Sequence, residues 1–199
     1  MRRADQFVLI GSAVPLAWLA MMAVHEAGHV LGALLTGGTV KVVVLHPLTI
    51  SCTVLSHNPH PLLVTWAGPV LGVLIPLAAF GVAAALRMPG AYLLRFFAGF
   101  CSIANGAYIG VGSIERIADA GDMLRHGSQT WHLWLFGAVT IPLGLLLWHR
   151  LGPYFGLGKA RGQVSRGAAI ACLVLLVLVA GLEFVLGPYF GLGKGLEAR

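Results

Sequence analysis

Two histidines four residues apart, with a glutamate beside the first, are the side chains of this sequence most suited to chemistry. They lie within His25-Glu26-Ala27-Gly28-His29. On an α-helix this spacing places both imidazoles on nearly the same face, about 6 Å apart along the axis. Two such imidazoles can bind one zinc ion while the glutamate reaches a water molecule on the metal. The motif predicts a hydrolytic zinc site with His25 and His29 as ligands and Glu26 as general base.

A catalytic zinc site usually has three protein ligands, so one more Asp, Glu, His or Cys is expected. Glu115, Asp119 and Asp122 lie close together after the third apolar segment, and on a helix they share one side. Small neighbours allow Asp119 to approach the metal, whereas Asp122 has Arg125 nearby as an ion-pair partner. These features favour Asp119 only weakly, and Asp122 is the alternative. Four other residues with donor atoms are weaker candidates: His46, His126, His132 and Glu183.

The segments that carry these residues are too apolar for a water-soluble domain. Apolar residues make up 58% of the 199 residues and charged residues 10%, with a mean hydropathy of +0.86. Five segments are long enough to span or nearly span about 30 Å of hydrocarbon: 6–36, 61–86, 91–114, 127–149 and 167–187. The first exceeds that thickness, so it must tilt, break or leave the membrane. We predict an all-α, multi-pass membrane protein with residues 1–199 in a single membrane-embedded domain.

A short β-hairpin is predicted after the first helix. Residues 40–45 are rich in β-branched side chains, residues 49–54 alternate apolar with polar, and 46–48 contain a proline suited to the turn. Two roles fit this pattern equally well. The hairpin covers the ends of the helices, or its free edge pairs with an extended substrate.

The net charge of +6 comes from basic residues scattered near the ends of the apolar segments. Scattered charges indicate lipid headgroups as their partners rather than nucleic acid. An N-terminus inside the cell would place eight basic residues on the cytoplasmic side and five opposite, a small bias in favour of that orientation. Cys52, Cys101 and Cys172 form no CxxC pair and do not identify a redox compartment.

Two features accompany the motif at residues 25–29: Ala67-Gly68-Pro69 in the second segment, and Asn105 followed by Asp119-Ala120-Gly121. Together they resemble the site-2 protease family of intramembrane zinc metalloproteases. That family pairs its His-Glu-x-x-His helix with an aspartate from a later helix, so the resemblance implies Asp119 as the third ligand. This chain departs from the family pattern at two points. It has no proline between Asn105 and Asp119, and Ala120 stands where glycine is usual.

The resemblance implies a zinc-dependent intramembrane endopeptidase, with Zn²⁺ as cofactor and membrane-spanning proteins as substrates. The alternative is a non-catalytic membrane protein that binds or transports a metal through the same histidines and has no use for Glu26. A purely structural helix bundle, with no bound metal, is a third interpretation. Asn105 either bonds a neighbouring helix or, as the resemblance implies, helps to position the substrate or stabilise the oxyanion.

One further feature is a nonapeptide, Leu-Gly-Pro-Tyr-Phe-Gly-Leu-Gly-Lys, which occurs at 151–159 and again at 186–194. Each copy follows an apolar segment. Tyr and Phe near a Lys are typical of a membrane interface, so we predict two anchors at helix ends rather than a catalytic element.

Overall fold

The computed structural model describes residues 3–186, and five of its helices are long and apolar enough to cross a membrane. These helices are α1 (Arg3–Leu35), α2 (Pro61–Ala85), α3 (Ala91–Glu115), α5 (Thr130–Trp148) and α6 (Arg166–Leu186). A short helix, α4 (Ala118–Arg125), follows α3. Each predicted segment agrees with its helix to within three residues at either end. The predicted all-α membrane fold is confirmed, and the protein is a multi-pass membrane protein.

Helix α1 is a single unbroken element of 33 residues, although Pro15 lies inside it. At 1.5 Å per residue it is about 50 Å long, well beyond the hydrocarbon thickness of about 30 Å. Of the three ways predicted to accommodate this length, a break is excluded. The helix must therefore tilt or extend beyond the membrane.

The predicted hairpin is present after α1, with strands β1 (Thr39–Val44) and β2 (Cys52–His57) paired antiparallel. Its second strand begins three residues later than predicted. The reason is a turn around His46, whose carbonyl accepts a hydrogen bond from the Thr49 N–H at 3.0 Å and whose Nδ1 accepts one from the Leu48 N–H at 3.3 Å. Residues 49–51 consequently belong to the loop, where the Ile50 side chain is 91% exposed.

Helix α1 contacts α2, α6 and the hairpin, while α3 packs against α2, α4 and α5. One apolar cluster joins α1 to α3 through Leu19, Met22 and the fully buried Cys101. Large apolar side chains on α6, such as Val177 and Leu178, are exposed. Outward apolar side chains on a long helix are what contact with lipid requires.

The first copy of the nonapeptide forms two short 3₁₀ turns, Gly152–Phe155 and Gly158–Ala160. The Gln6 side-chain amide donates hydrogen bonds to the carbonyls of Phe155 (3.1 Å) and Gly156 (2.7 Å), which ties this segment to the start of α1. Tyr154 is exposed, as an interfacial anchor would be, but Phe155 is buried against Leu9. Tyr154 therefore has the exposure expected of an anchor, whereas Phe155 packs within the protein. Residues 187–194 of the second copy lie outside the described residues.

Candidate metal centre

The motif at residues 25–29 lies on α1 with its polar side chains turned into the protein. His25 and His29 are each 7% exposed, and Glu26 is 3% exposed. One helical turn separates the two histidines, and their Nε2 atoms are 3.0 Å apart. Because water is largely excluded here, each polar atom needs a partner within the protein or a bound ion.

The Asp119 side chain approaches the Nε2 atoms of the two histidines from α4. Its Oδ2 lies 2.9 Å from Nε2 of His25 and 3.2 Å from Nε2 of His29. The approach depends on a sharp reversal between α3 and α4, where Arg116 (φ 55°) and Ala118 (φ 46°) both have left-handed backbone conformations. This turn starts α4 against α2 and α3, and it leaves Asp119 in the first turn of α4 with its side chain at the histidines of α1.

The opposite nitrogen of each imidazole is held by an oxygen atom. Nδ1 of His25 lies 2.7 Å from Oδ1 of Asn105, and Nδ1 of His29 lies 2.8 Å from the carbonyl oxygen of Val64. The Asn105 amide nitrogen donates to the carbonyl of Cys101 at 2.9 Å, which orients Oδ1 towards His25. A carbonyl oxygen only accepts, so both Nδ1 atoms carry a hydrogen, and in the neutral imidazoles both Nε2 lone pairs face Asp119. Asn105 thus bonds a neighbouring helix, one of its two predicted roles.

Three acceptor atoms therefore converge, namely the Nε2 atoms of His25 and His29 and Oδ2 of Asp119. Their separations of 2.9–3.2 Å would be repulsive unless a positive charge lay among them. A tetrahedral zinc ion with ligand bonds of 2.0–2.1 Å separates its ligand atoms by about 3.3 Å. Two neutral imidazoles and one carboxylate are also a donor set that zinc prefers. The residues present fit a zinc ion in both chemistry and spacing.

Asp119 is the most accessible of the three, with 21% of its side chain exposed against 9% for each histidine. Burial opposes ionisation of this carboxyl group, but the hydrogen bonds and positive charge that the two imidazoles supply when protonated outweigh burial and hold the pKa of Asp119 well below its ordinary value. The carboxylate is therefore ionised at neutral pH, as a metal ligand must be.

Glu26 lies beside this centre and is held by the hairpin. The hydroxyl of Thr53 in β2 donates a hydrogen bond of 2.7 Å to Oε2 of Glu26. Burial, and then the charge of Glu26, raise the pKa of the neighbouring Cys52 thiol. Both observations place the Glu26 carboxylate at the junction between α1 and β2.

Close contact between α1 and α2 depends on glycines, two of which lie next to the histidines. A Cβ added at Gly28 would lie 2.6 Å from the carbonyl oxygen of Ala67, and a Cβ added at Gly68 would overlap the His29 imidazole. The Ala67-Gly68-Pro69 segment therefore has a steric role, because only glycine at position 68 leaves room for the His29 ring.

The substitution Gly68→Ala is expected to lower zinc affinity by about 10–100-fold, the range seen when the support of a ligand is lost, since the new methyl group displaces His29. Gly81→Ala is the matched control, because the same change in the same helix meets no atom within 4 Å. Titration of metal-free protein with zinc measures both. Equal affinity in the two variants would contradict the steric role.

Other acidic candidates do not join this centre. Asp122 forms an exposed ion pair with Arg125 at 2.9 Å. This is the role that the sequence favoured for Asp122 over metal binding. Glu183 is 7% exposed in α6, and its Oε2 has no hydrogen-bond partner among the described residues. Across residues 3–186, the donor atoms that converge within 4.8 Å are those of His25, His29 and Asp119.

Two side chains at the centre were not identified from the sequence. Thr53 contacts Glu26, and the Tyr108 ring packs edge-on against His25 with centroids 5.7 Å apart. The Tyr108 hydroxyl also accepts a hydrogen bond of 3.4 Å from the Asp119 N–H. One available signal is that Tyr108 follows Asn105 by three residues, so both lie on one face of α3.

Comparison with models of known protein families gives a match. A family model described as Peptidase M50B-like matches residues 6–105, which is half of the chain. The matched region runs from α1 through the hairpin and α2 to Asn105 in α3, and it ends before Asp119. No curated protein and no solved structure matches the chain.

Proposed function

Because the chain belongs to the Peptidase M50B-like family, a membrane peptidase family related to site-2 proteases, we propose that it is a zinc-dependent intramembrane endopeptidase. Its substrates in this proposal are membrane-spanning proteins. The observation that carries the proposal is the convergence of two Nε2 atoms and one carboxylate oxygen within 3.2 Å, beside a buried glutamate on a membrane helix.

In this proposal the zinc ligands are His25, His29 and Asp119. Zinc held there supplies a Lewis acid, which acidifies a water molecule and polarises the carbonyl of the substrate. The bonds from Nδ1 of His25 to Asn105 and from Nδ1 of His29 to Val64 keep both Nε2 lone pairs directed at the ion. The protein therefore maintains the ligand atoms in position before any substrate arrives.

Glu26 acts as the general base. Its carboxylate accepts a proton from the water molecule as the water oxygen attacks the carbonyl carbon of the peptide bond. It then gives this proton to the departing nitrogen as the C–N bond breaks, so that the products are one carboxylic acid and one amine. The burial of Glu26 supports this role, because exclusion of bulk water strengthens its interactions with the reacting groups.

The position of the motif supports a membrane-spanning substrate. His25 and His29 precede the end of α1 by ten and six residues, which places them about 15 and 9 Å along the axis from that end. A peptide bond in a transmembrane helix has its carbonyl hydrogen-bonded within the helix, so the substrate must unwind locally before attack. We expect cleavage of a helical substrate to be favoured by glycine or proline near the cleaved bond.

Metal removal is the first test of the proposal. Purified protein in liposomes should cleave a fluorogenic transmembrane peptide and contain about one zinc per chain, as a single site with three protein ligands predicts. Chelation should abolish cleavage, and added zinc should restore it, because the ion supplies both the acidified water and the polarised carbonyl. Cleavage that persists in fully zinc-depleted protein would contradict the proposal.

A further inference from the structure

A hydroxyl outside the zinc motif contacts the general base, and we propose that Thr53 is a positioning residue for Glu26. The inference rests on the proposed function, since it concerns how the base is oriented for proton transfer. It adds to that function a residue of the hairpin, which is an element separate from all three metal ligands.

The contact itself is short and well placed. The Thr53 hydroxyl donates to Oε2 of Glu26 at 2.7 Å, within the range of a strong hydrogen bond to a charged oxygen. A glutamate side chain has three rotatable bonds, so a base without such a contact would sample several orientations. With Oε2 held by Thr53, the other carboxylate oxygen remains available to the water molecule.

The hairpin gives this hydroxyl a defined position. Thr53 pairs with Val43 across the sheet and is half-buried, whereas its neighbours Cys52 and Val54 on the opposite face of β2 are exposed. Alternation along the strand thus directs Thr53 towards α1. A β-branched threonine also has a restricted χ1 angle, which limits the movement of its hydroxyl.

A positioning role makes a specific kinetic prediction. Thr53 acts through Glu26 and not on the substrate, so its loss should lower kcat and leave KM and zinc content unchanged. Thr53→Val keeps the shape of the side chain and removes the hydroxyl. We expect this variant to lower kcat by about 10-fold, as for the loss of one hydrogen bond to a charged group.

Two matched variants separate positioning from a structural effect. Thr53→Ser keeps the hydroxyl and should retain kcat to within about 3-fold, since a serine hydroxyl can make the same bond with a freer χ1. Thr140→Val makes the same chemical change in α5, where the hydroxyl bonds the carbonyl of Phe136 in its own helix, and should leave kcat unchanged.

A second measurement tests the contact without any reaction. In a double-mutant cycle of Thr53→Val and Glu26→Leu, the two changes in unfolding temperature should be non-additive, because the second substitution removes a partner that the first has already lost. The proposal is overturned if Thr53→Val retains or raises kcat, if Thr53→Ser is as slow as Thr53→Val, if zinc content falls together with kcat, or if the cycle is additive. A wild-type protein that cleaves no substrate would instead count against the proposed function, and the cycle would still report on the contact.

Discussion

Replacing Glu26 by glutamine is expected to reduce the turnover of a transmembrane substrate by about a thousandfold, within the usual contribution of a general base. An amide has nearly the same shape as a carboxylate, but it cannot accept the proton of the attacking water. Its carbonyl oxygen can still accept the hydrogen bond from Thr53, so the junction between α1 and β2 should persist. Turnover is measured with the purified protein and a transmembrane peptide, and zinc is measured on the same sample.

Glu115→Gln provides the matched control for this variant. Glu115 is an exposed glutamate at the end of α3, and the same change there should leave turnover unaltered. Zinc content should equal that of the wild type in both variants, since neither glutamate is a ligand in the proposed site. If Glu26→Gln retained full cleavage, Glu26 would not be the general base, and another group would have to accept the proton of the water molecule.

Asp119→Asn is expected to lower zinc affinity by more than the roughly 100-fold that the loss of an outer-shell hydrogen bond causes, and to abolish turnover with it. The change removes the negative charge that balances the ion against two neutral imidazoles. Asp119 is also the ligand that comes from α4, so its loss leaves the metal held from α1 alone. Zinc titration of metal-free protein measures this affinity directly.

Asp122→Asn is the control that separates the two aspartates of α4. Asp122 pairs with Arg125 on the surface, with 43% of its side chain exposed, and such pairs contribute little to stability. Zinc affinity and turnover should therefore stay within about 2-fold of the wild type. If Asp122→Asn lost zinc and Asp119→Asn kept it, the assignment of the third ligand would be wrong.

Much of the helical architecture could be predicted because a membrane span leaves a strong signal in sequence. Uninterrupted apolar runs are required wherever a helix crosses hydrocarbon, and their ends coincide closely with α2 and α3. The hairpin was predicted less well. Alternation of apolar and polar residues continues through Thr49-Ile50-Ser51, but hydrogen bonds to His46 draw this stretch into the turn. The apolar–polar pattern alone cannot show that the turn is favoured over the strand for these three residues.

The choice between Asp119 and Asp122 depends on the turn between α3 and α4, which cannot be recognised from the sequence. Arg116 and Ala118 adopt left-handed conformations that are usually occupied by glycine, so no glycine marks the reversal. Site-2 proteases usually have glycine at the position of Ala120. Here the alanine side chain has room because the residue facing it in α3 is Gly112. A Cβ added at Gly112 in α3 would lie 3.3 Å from the Ala120 Cβ, which shows how closely these two positions pack.

The hydrogen bonds of the two histidines have a thermodynamic consequence. The ligand atoms come from α1 and α4, and the groups that orient the imidazoles come from α2 and α3. An ion bound at this point would link α1 to α4 directly and, through the hydrogen bonds of the two imidazoles, to α2 and α3. By mass action, whatever binds the assembled bundle and not the separated helices opposes their dissociation. Zinc occupancy and the stability of the helix bundle are therefore linked, so that a change in one is expected to change the other.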